Sequence, residues 1–398
     1  MSYFSEMTLN QHQVSLDAGG RVRTSGITTL GDYKILGFDK TLLIHTTGSG
    51  QGTYSDNTYH MDVTGSGQYL IRQSKKFHGY FSGKSQLIEC TFDEFQPEPN
   101  VEKRVGYFSS NAVAPYSSSY DGFWLQSSGS KISLEMQHEG VSTLSVPLSQ
   151  WIGAAELATF DWSKFVVVLF DFLWLGGAVL RLWVWNYEGW ILAHEFTFSG
   201  FGDGTFIQSS NQPLRYELRS CAAGASGSLH YICAQVATEG GIDEAGISRE
   251  VNSGYPGITF TTQGTKYPLL AIKKQTAYRD IPIELTGIGT ITTTNNDVIR
   301  WTLESNPTVS SALAYKNLES SSIQYAIGDG TITVTQSGSV VAGGMVSQGG
   351  SIQADVLKRN YLSVLGSKID DTMDELVLCV TPLTASPLVF GSLTFKEY

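Results

Sequence analysis

Glu135 and Glu139 bracket the stretch Glu135-Met136-Gln137-His138-Glu139, the one place in this chain where residue types and spacing approach acid–base chemistry. Two carboxylates hydrolyse a glycosidic bond from roughly 5–5.5 Å apart with retention, or roughly 6.5–9.5 Å apart with inversion. Residues four apart on a regular strand lie roughly 13 Å apart, so this pair would need a bulge to act together. Gly140 follows directly, the mark of a hairpin end, and the pair reads as solvated strand-end carboxylates. The seven His are dispersed, and no two share metal-ligand spacing. His138 and His194 fall in strand-like segments, where a hydrogen-bonded structural imidazole is expected. Asp203 sits between Gly202 and Gly204 as a turn acid, without the alternating Asp/Asn series of a calcium loop. No Gly-x-Ser-x-Gly elbow precedes a helix. The expectation is a protein with no catalytic residue set, no metal and no cofactor.

A second constellation is aromatic: Trp174, Trp183, Trp185 and Trp190 in the block Phe160 to Gly200. Trp183 and Trp185 alternate along one strand and so share a face, as a sugar-stacking platform requires. Burial in the inter-sheet core or a subunit interface is the alternative, and packing is the reading adopted because these residues lie in the most apolar strand group of the chain. Trp183, Trp185 and Trp190 are the candidate glycan or interface surface.

The elements that position these residues are strands. The run Phe165 to Val179 is interrupted by Asp171 and Gly176-Gly177, short of the roughly 20 apolar residues of a membrane helix. Its residues are β-branched and aromatic. A second strand begins at Val179, and a turn at Asn186-Tyr187-Glu188-Gly189 leads to a third, Trp190 to Phe198. Similar segments recur about every ten residues from Tyr33 to Val236. They include Tyr33–Phe38, Thr41–Thr47, Gly122–Gln126 and Lys131–Gln137, separated by turns such as Thr46–Gly52. That count fits two large antiparallel sheets packed face to face. Few stretches show a helix-like period, and the best candidate, Ala354 to Ile369, contains Asn360, Ser363 and Gly366.

The predicted organisation is an arm over 1–29, a lectin-like jelly-roll domain over 30–240, a linker over 241–265 and a C-terminal β-sandwich domain over 266–398. The fold class is all-β, a lectin-like antiparallel jelly-roll sandwich followed by a smaller β-sandwich. The net charge of −11 offers no attraction to a phosphate backbone, so no nucleic-acid partner is expected. No signal peptide or membrane insertion is expected. Cys90, Cys221, Cys233 and Cys379 form no CxxC pair and are expected as reduced thiols; only Cys221 and Cys233 are spaced to meet across a hairpin.

An ordered series of short segments resembles structural proteins of tailed phages and some large DNA viruses. It comprises Gly83-Lys84-Ser85, Gly106-Tyr107-Phe108, Asp121-Gly122-Phe123-Trp124, and Val146-Pro147 through Trp151. It continues with Asp161-Trp162-Ser163-Lys164, Phe170 to Gly176, His194-Glu195-Phe196 and Gln212 to Glu217. Ala277-Tyr278-Arg279 and Val380-Thr381-Pro382-Leu383 extend it into the second half. The resemblance implies a non-enzymatic virion component on the capsid surface or in the tail, with a laminin-G or concanavalin-type sandwich. It implies assembly in host cytoplasm with other virion proteins and with copies of itself in a symmetric oligomer such as a trimer. A carbohydrate-binding host-recognition module of a spike or fibre is the alternative, and a glycoside hydrolase the weaker one. The resemblance assigns no catalytic residues.

Overall fold

The computed structural model describes the chain except residues 1–6, 10–11, 15–16, 19, 24–25, 36–42, 176, 178, 188, 200–203, 241–245, 294–296, 348–350 and 355–364. Asp203 and most of the helix-like stretch from Ala354 lie outside the described residues. The chain divides into two compact units, Met1–Asp243 and Glu244–Tyr398.

The first unit opens with a small hairpin, Met7–Leu9 (β1) and His12–Val14 (β2), followed by Ile27–Asp32 (β3). Its bulk is two antiparallel sheets. One takes Ile44–Gly48 (β4), Tyr69–Ser74 (β7), Val101–Ser110 (β9), Tyr120–Ser128 (β10), Lys131–His138 (β11), Val141–Pro147 (β12) and Leu214–Ser220 (β16). The other takes Gln51–Ser55 (β5), Thr58–Val63 (β6), Gln86–Asp93 (β8), Val166–Leu173 (β13), Val179–Asn186 (β14), Gly189–Thr197 (β15) and Gly227–Glu239 (β17). The spatial orders are β12-β11-β10-β9-β16-β7-β4 and β15-β14-β13-β8-β17-β6-β5, with β3 added on β17. This is the expected jelly-roll sandwich.

Alternation decides which side chains meet between the sheets. Val105, Tyr107, Phe123, Leu125, Tyr216 and Leu218 of one sheet face Ile88, Phe92, Phe170, Phe172, Leu182 and Val236 of the other in a single core. Arg72 and His78 are among the basic groups that enter that core with partners. The Arg72 guanidinium lies 4.2 Å from the centre of the Tyr59 ring and 5.1 Å from that of Tyr231. The His78 ring sits between the Tyr33 hydroxyl (2.7 Å to Nε2) and the Gln212 carbonyl (3.2 Å to Nδ1). Burial pushes the His78 imidazole down to about 3, so it is neutral. Nδ1–H then donates to the carbonyl, and Nε2 accepts from the tyrosine.

Local differences from the sequence expectations have identifiable causes. Of the strand expected over Tyr33–Phe38, Tyr33 to Ile35 lie outside the strand that ends at Asp32, and residues 36–38 lie outside the described residues. Tyr33 instead turns its hydroxyl inward to His78, and its backbone N–H bonds the Ala234 carbonyl. Gln51–Ser55, partly read as turn, is an edge strand paired with β6. The described residues from Asp17 to Asp32, those up to Thr29 expected as arm, are bound to the jelly roll. Arg23 reaches Asp171 at 2.9 Å and Glu239 at 2.8 Å, and Arg181 donates to the Asp17 carbonyl. Burial raises the Asp171 pKa, and Arg23 and a hydrogen bond from Ser85 oppose that shift. All four cysteines are free thiols.

The second unit is a smaller sandwich. One of its sheets orders Ile247–Asn252, Ser392–Glu397, Ile283–Thr293, Leu388–Phe390 and Ile258–Thr259. The other orders Lys316–Asn317, Ile323–Ile327, Tyr267–Lys274, Glu375–Pro382, Val298–Ser305 and Ser339–Ser347. Leu269, Leu285, Trp301, Leu378 and Phe395 are part of its core. The stretch 241–265, expected as a linker, thus carries two strands. Its Gly and Ser residues mask an edge strand, Ile247–Asn252, whose buried Val251 joins that core.

Candidate functional site

The eight-stranded sheet carries the tryptophans. Leu180, Leu182 and Val184 of β14 point into the core, so Arg181, Trp183 and Trp185 point out. Trp183, opposite Leu169 and Leu192, is only 6% exposed. Trp185, opposite Trp190, is 45% exposed, and the two rings meet edge-on at 5.3 Å. Tyr187 at the hairpin tip is 92% exposed and Phe165, just before β13, is 68% exposed. The Val168–Val184 register places both at one end of the sheet. The candidate set therefore divides: Trp183 packs, while Trp185, Tyr187 and Phe165 form an open aromatic end bordered by the half-buried Trp190. Trp174 lies apart from them, half-buried against Tyr80.

The outer face of the seven-stranded sheet carries the buried charge. Strand register lays it out in rows. Arg215, Gly106, Trp124, Glu135 and Ser145 are successive cross-strand neighbours. The next row is Glu217, Arg104, Gln126 and Ser133, and on the other side Phe108 faces Gly122. Each glycine thus lies opposite the other strand's aromatic residue. A Cβ on Gly106 would lie 2.8 Å from the Cβ of Trp124, and one on Gly122 2.8 Å from that of Phe108. Phe108, Tyr120 and Trp124 form their own buried cluster outside the main core.

Around that cluster runs an ionic network. Arg215 Nε donates to Glu217 Oε1 (2.7 Å) and Nη1 to Gln73 Oε1 (2.6 Å). Glu217 Oε2 accepts from Tyr120 (2.8 Å) and Arg104 (3.3 Å), and Arg104 also reaches Gln126 (2.8 Å) and Glu102 (2.9 Å). Burial alone would raise the Glu217 pKa, but Arg215, Arg104 and Tyr120 hold it below the ordinary carboxylate range. Glu217 is therefore a charge held between two guanidinium groups and not a proton donor.

Glu135 is on this face, where its Oε1 accepts from Ser133 and Ser145. Glu139 falls beyond the end of β11 in a left-handed turn at φ 47°. The β-bulge between Met136 and Gln137 lies between the two, yet Glu139 caps the hairpin and its N–H faces Asp121. The nearest buried carboxylate in the rows, Glu217, is three strands from Glu135, about 14 Å at ordinary strand spacing, outside either glycosidase separation. Asp121 is structural: its carboxylate accepts the N–H groups of Gln208 and Ser209 and the Gln212 amide.

Sequence reasoning missed Phe108, Trp124, Arg104, Arg215 and Glu217. A signal was present: Gly106-Tyr107-Phe108 and Gly122-Phe123-Trp124 are the same glycine–aromatic–aromatic pattern on adjacent strands. No group of His, Cys, Asp and Glu that could hold a metal ion occurs among the described residues.

No family model and no curated protein sequence matches the chain. Among solved structures it is similar to a carbohydrate esterase from Shiga toxin-encoding bacteriophage phi24B, at 14% identity over 54% of this chain and 100% of that one, TM-score 0.35. It is similar to peanut lectin at 10% identity over 52% of this chain and 97% of that one, TM-score 0.35. A legume lectin-like domain from Entamoeba histolytica matches at 11% identity over 53% of this chain and 98% of that one, TM-score 0.34. These are distant likenesses to lectin-like jelly rolls.

Proposed function

We propose that this chain is a non-enzymatic virion structural protein that assembles through the aromatic end of its eight-stranded sheet. The observation that supports assembly is the open group Phe165, Trp185 and Tyr187 beside Trp190. Large aromatic side chains grouped at one place on a surface are what protein interfaces bury. The virion setting rests on the ordered sequence segments that resemble phage and viral structural proteins. The separation of Glu135 from Glu217 and the left-handed turn at Glu139 support a non-catalytic role. Light scattering should give an oligomer for the native chain, and Trp185→Ser with Tyr187→Ser should give a folded monomer. Imaging of purified particles should locate its density on the head or tail. A native monomer that is absent from particles would sink the proposal.

The edge-on Trp185–Trp190 pair favours a second reading, a glycan-stacking surface on a host-recognition module. A monomeric native protein that binds a glycan array, and loses binding with Trp185→Ala, would establish that reading instead.

A further inference from the structure

One sheet of the second unit ends on Ser339–Ser347, an edge strand of nine residues. Among the described residues its ladder partner is Val298–Ser305 alone, and no other backbone hydrogen bond reaches it. Its far side is therefore a row of backbone N–H and C=O groups facing outward. Sheet edges recruit other strands unless they are short, charged, interrupted by proline or covered. Other edges of this chain have such protection. β15 carries Glu195 and gives its Ala193 carbonyl to the Gly153 N–H. Ile247–Asn252 carries Arg249 and Glu250, and Lys316–Asn317 is two residues long. Ser339–Ser347 has neither charge nor proline, and the sequence holds no charged residue between Asp329 and Asp355.

The side chains of this edge match a second copy of the same edge. Ala342, Gly344 and Val346 turn toward the core, whereas Gly343 and Met345 turn outward, Met345 being 66% exposed. Two antiparallel copies related by a two-fold axis through Gly344 set Ala342 opposite Val346 on the inner face. On the outer face they set Gly343 opposite Met345. Each bulky side chain then meets a small one, and the alternation of faces is kept. The bulge at Val341, where Leu303 pairs with Ala342 and Glu304 with Val340, ends the match. Two copies of a chain with net charge −11 repel each other, and a charge-free edge is where they meet at least cost.

We infer that Ala342–Val346 pairs with the same segment of a second copy, joining two sheets into one across a two-fold axis. The pairing is isologous and closes on itself. This surface belongs to the second unit and is separate from the tryptophan end. So short a ladder covers well under the roughly 1,200 Å² of a stable complex, so it stays open in dilute solution and closes where copies are crowded.

The test is hydrogen exchange of residues 339–347 in the full chain carrying Trp185→Ser and Tyr187→Ser, which removes any contribution of the aromatic end. Exchange should slow by about twofold or more between about 10 μM and about 1 mM, since half the copies are paired once concentration reaches Kd. Met345→Lys places two lysines diagonally across the axis and should abolish the slowing, and Met345→Glu should do the same. An equimolar mixture of these two variants should restore it. Exchange that is independent of concentration would overturn the inference. So would slowing that survives Met345→Lys alone, or a mixture that restores nothing.

Discussion

Replacing Glu217 with Gln removes the charge shared by two buried guanidinium groups, leaving Arg215 without its carboxylate and Arg104 with Glu102 alone. Arg215 and Arg104 are 0% and 7% exposed, and both bond the carboxylate. Breaking a buried pair by removing one partner costs about 3–5 kcal/mol, because the remaining charge is left without compensation. For a folding unit of this size each kcal/mol lowers Tm by about 2–4 °C, so the loss should be about 6–20 °C. Scanning calorimetry resolves it. The pH dependence supplies a second reading. The folded-state pKa of Glu217 is depressed, so its contribution is full above the unfolded value and is lost as pH falls through the folded one. The variant should lack that acid-side loss. Adding Arg215→Met to Glu217→Leu should restore part of the stability, since an apolar pair strands fewer charges. A Glu217→Gln melting temperature within about 2 °C of native would refute the reasoning.

Trp183→Ala should cost about 3–5 kcal/mol in chemical denaturation, the usual loss for a buried large aromatic, while Trp185→Ala should change stability by no more than about 0.5 kcal/mol. Gly122→Ala should destabilise by about 2–4 kcal/mol, because φ is +120° and a Cβ would lie 2.3 Å from the Tyr107 carbonyl oxygen. Equal urea midpoints for Gly122→Ala and native would contradict this. His78 is neutral in the fold and its folded pKa of about 3 lies below the ordinary 6.5, so its contribution is present above pH 6.5 and fades as pH falls toward 3. His78→Gln should be less stable at pH 7 and show a flatter stability curve across that window.

Much of the sandwich was legible because alternation is strong where one face of a strand meets the core. Lys131–His138, Val141–Pro147 and Leu214–Ser220 all read correctly to within a residue or two. Legibility failed where polar side chains point inward. Arg72 and His78 enter the core on the strength of partners, Tyr59, Tyr231, Tyr33 and Gln212, that are distant in sequence. It failed again where the chain covers its own sheets. Arg23 finds Asp171 and Glu239 only in three dimensions, so the residues up to 29 read as an arm. The tryptophan group was visible, but its division into buried Trp183 and open Trp185 depends on what lies over each ring. The Glu217 network was hidden because its members, Arg104, Tyr120, Arg215 and Glu217, fall on three strands, and none has a local pattern.

The position of β17 bears on how the molecule is made. It is the last strand of its unit, yet it pairs with β3, β6 and β8, all formed from the first hundred residues. While the polypeptide emerges from the ribosome, the strands that will become neighbours of β17 have no partner in that slot. Unpaired apolar edges of this kind recruit other chains. A nascent chain of this protein should therefore depend on chaperone shielding until Glu239 has been translated, and should fold abruptly once β17 inserts. Ribosome-stalled chains ending before Gly227 should be protease-sensitive throughout the jelly roll, and those extended well beyond Glu239 should be resistant.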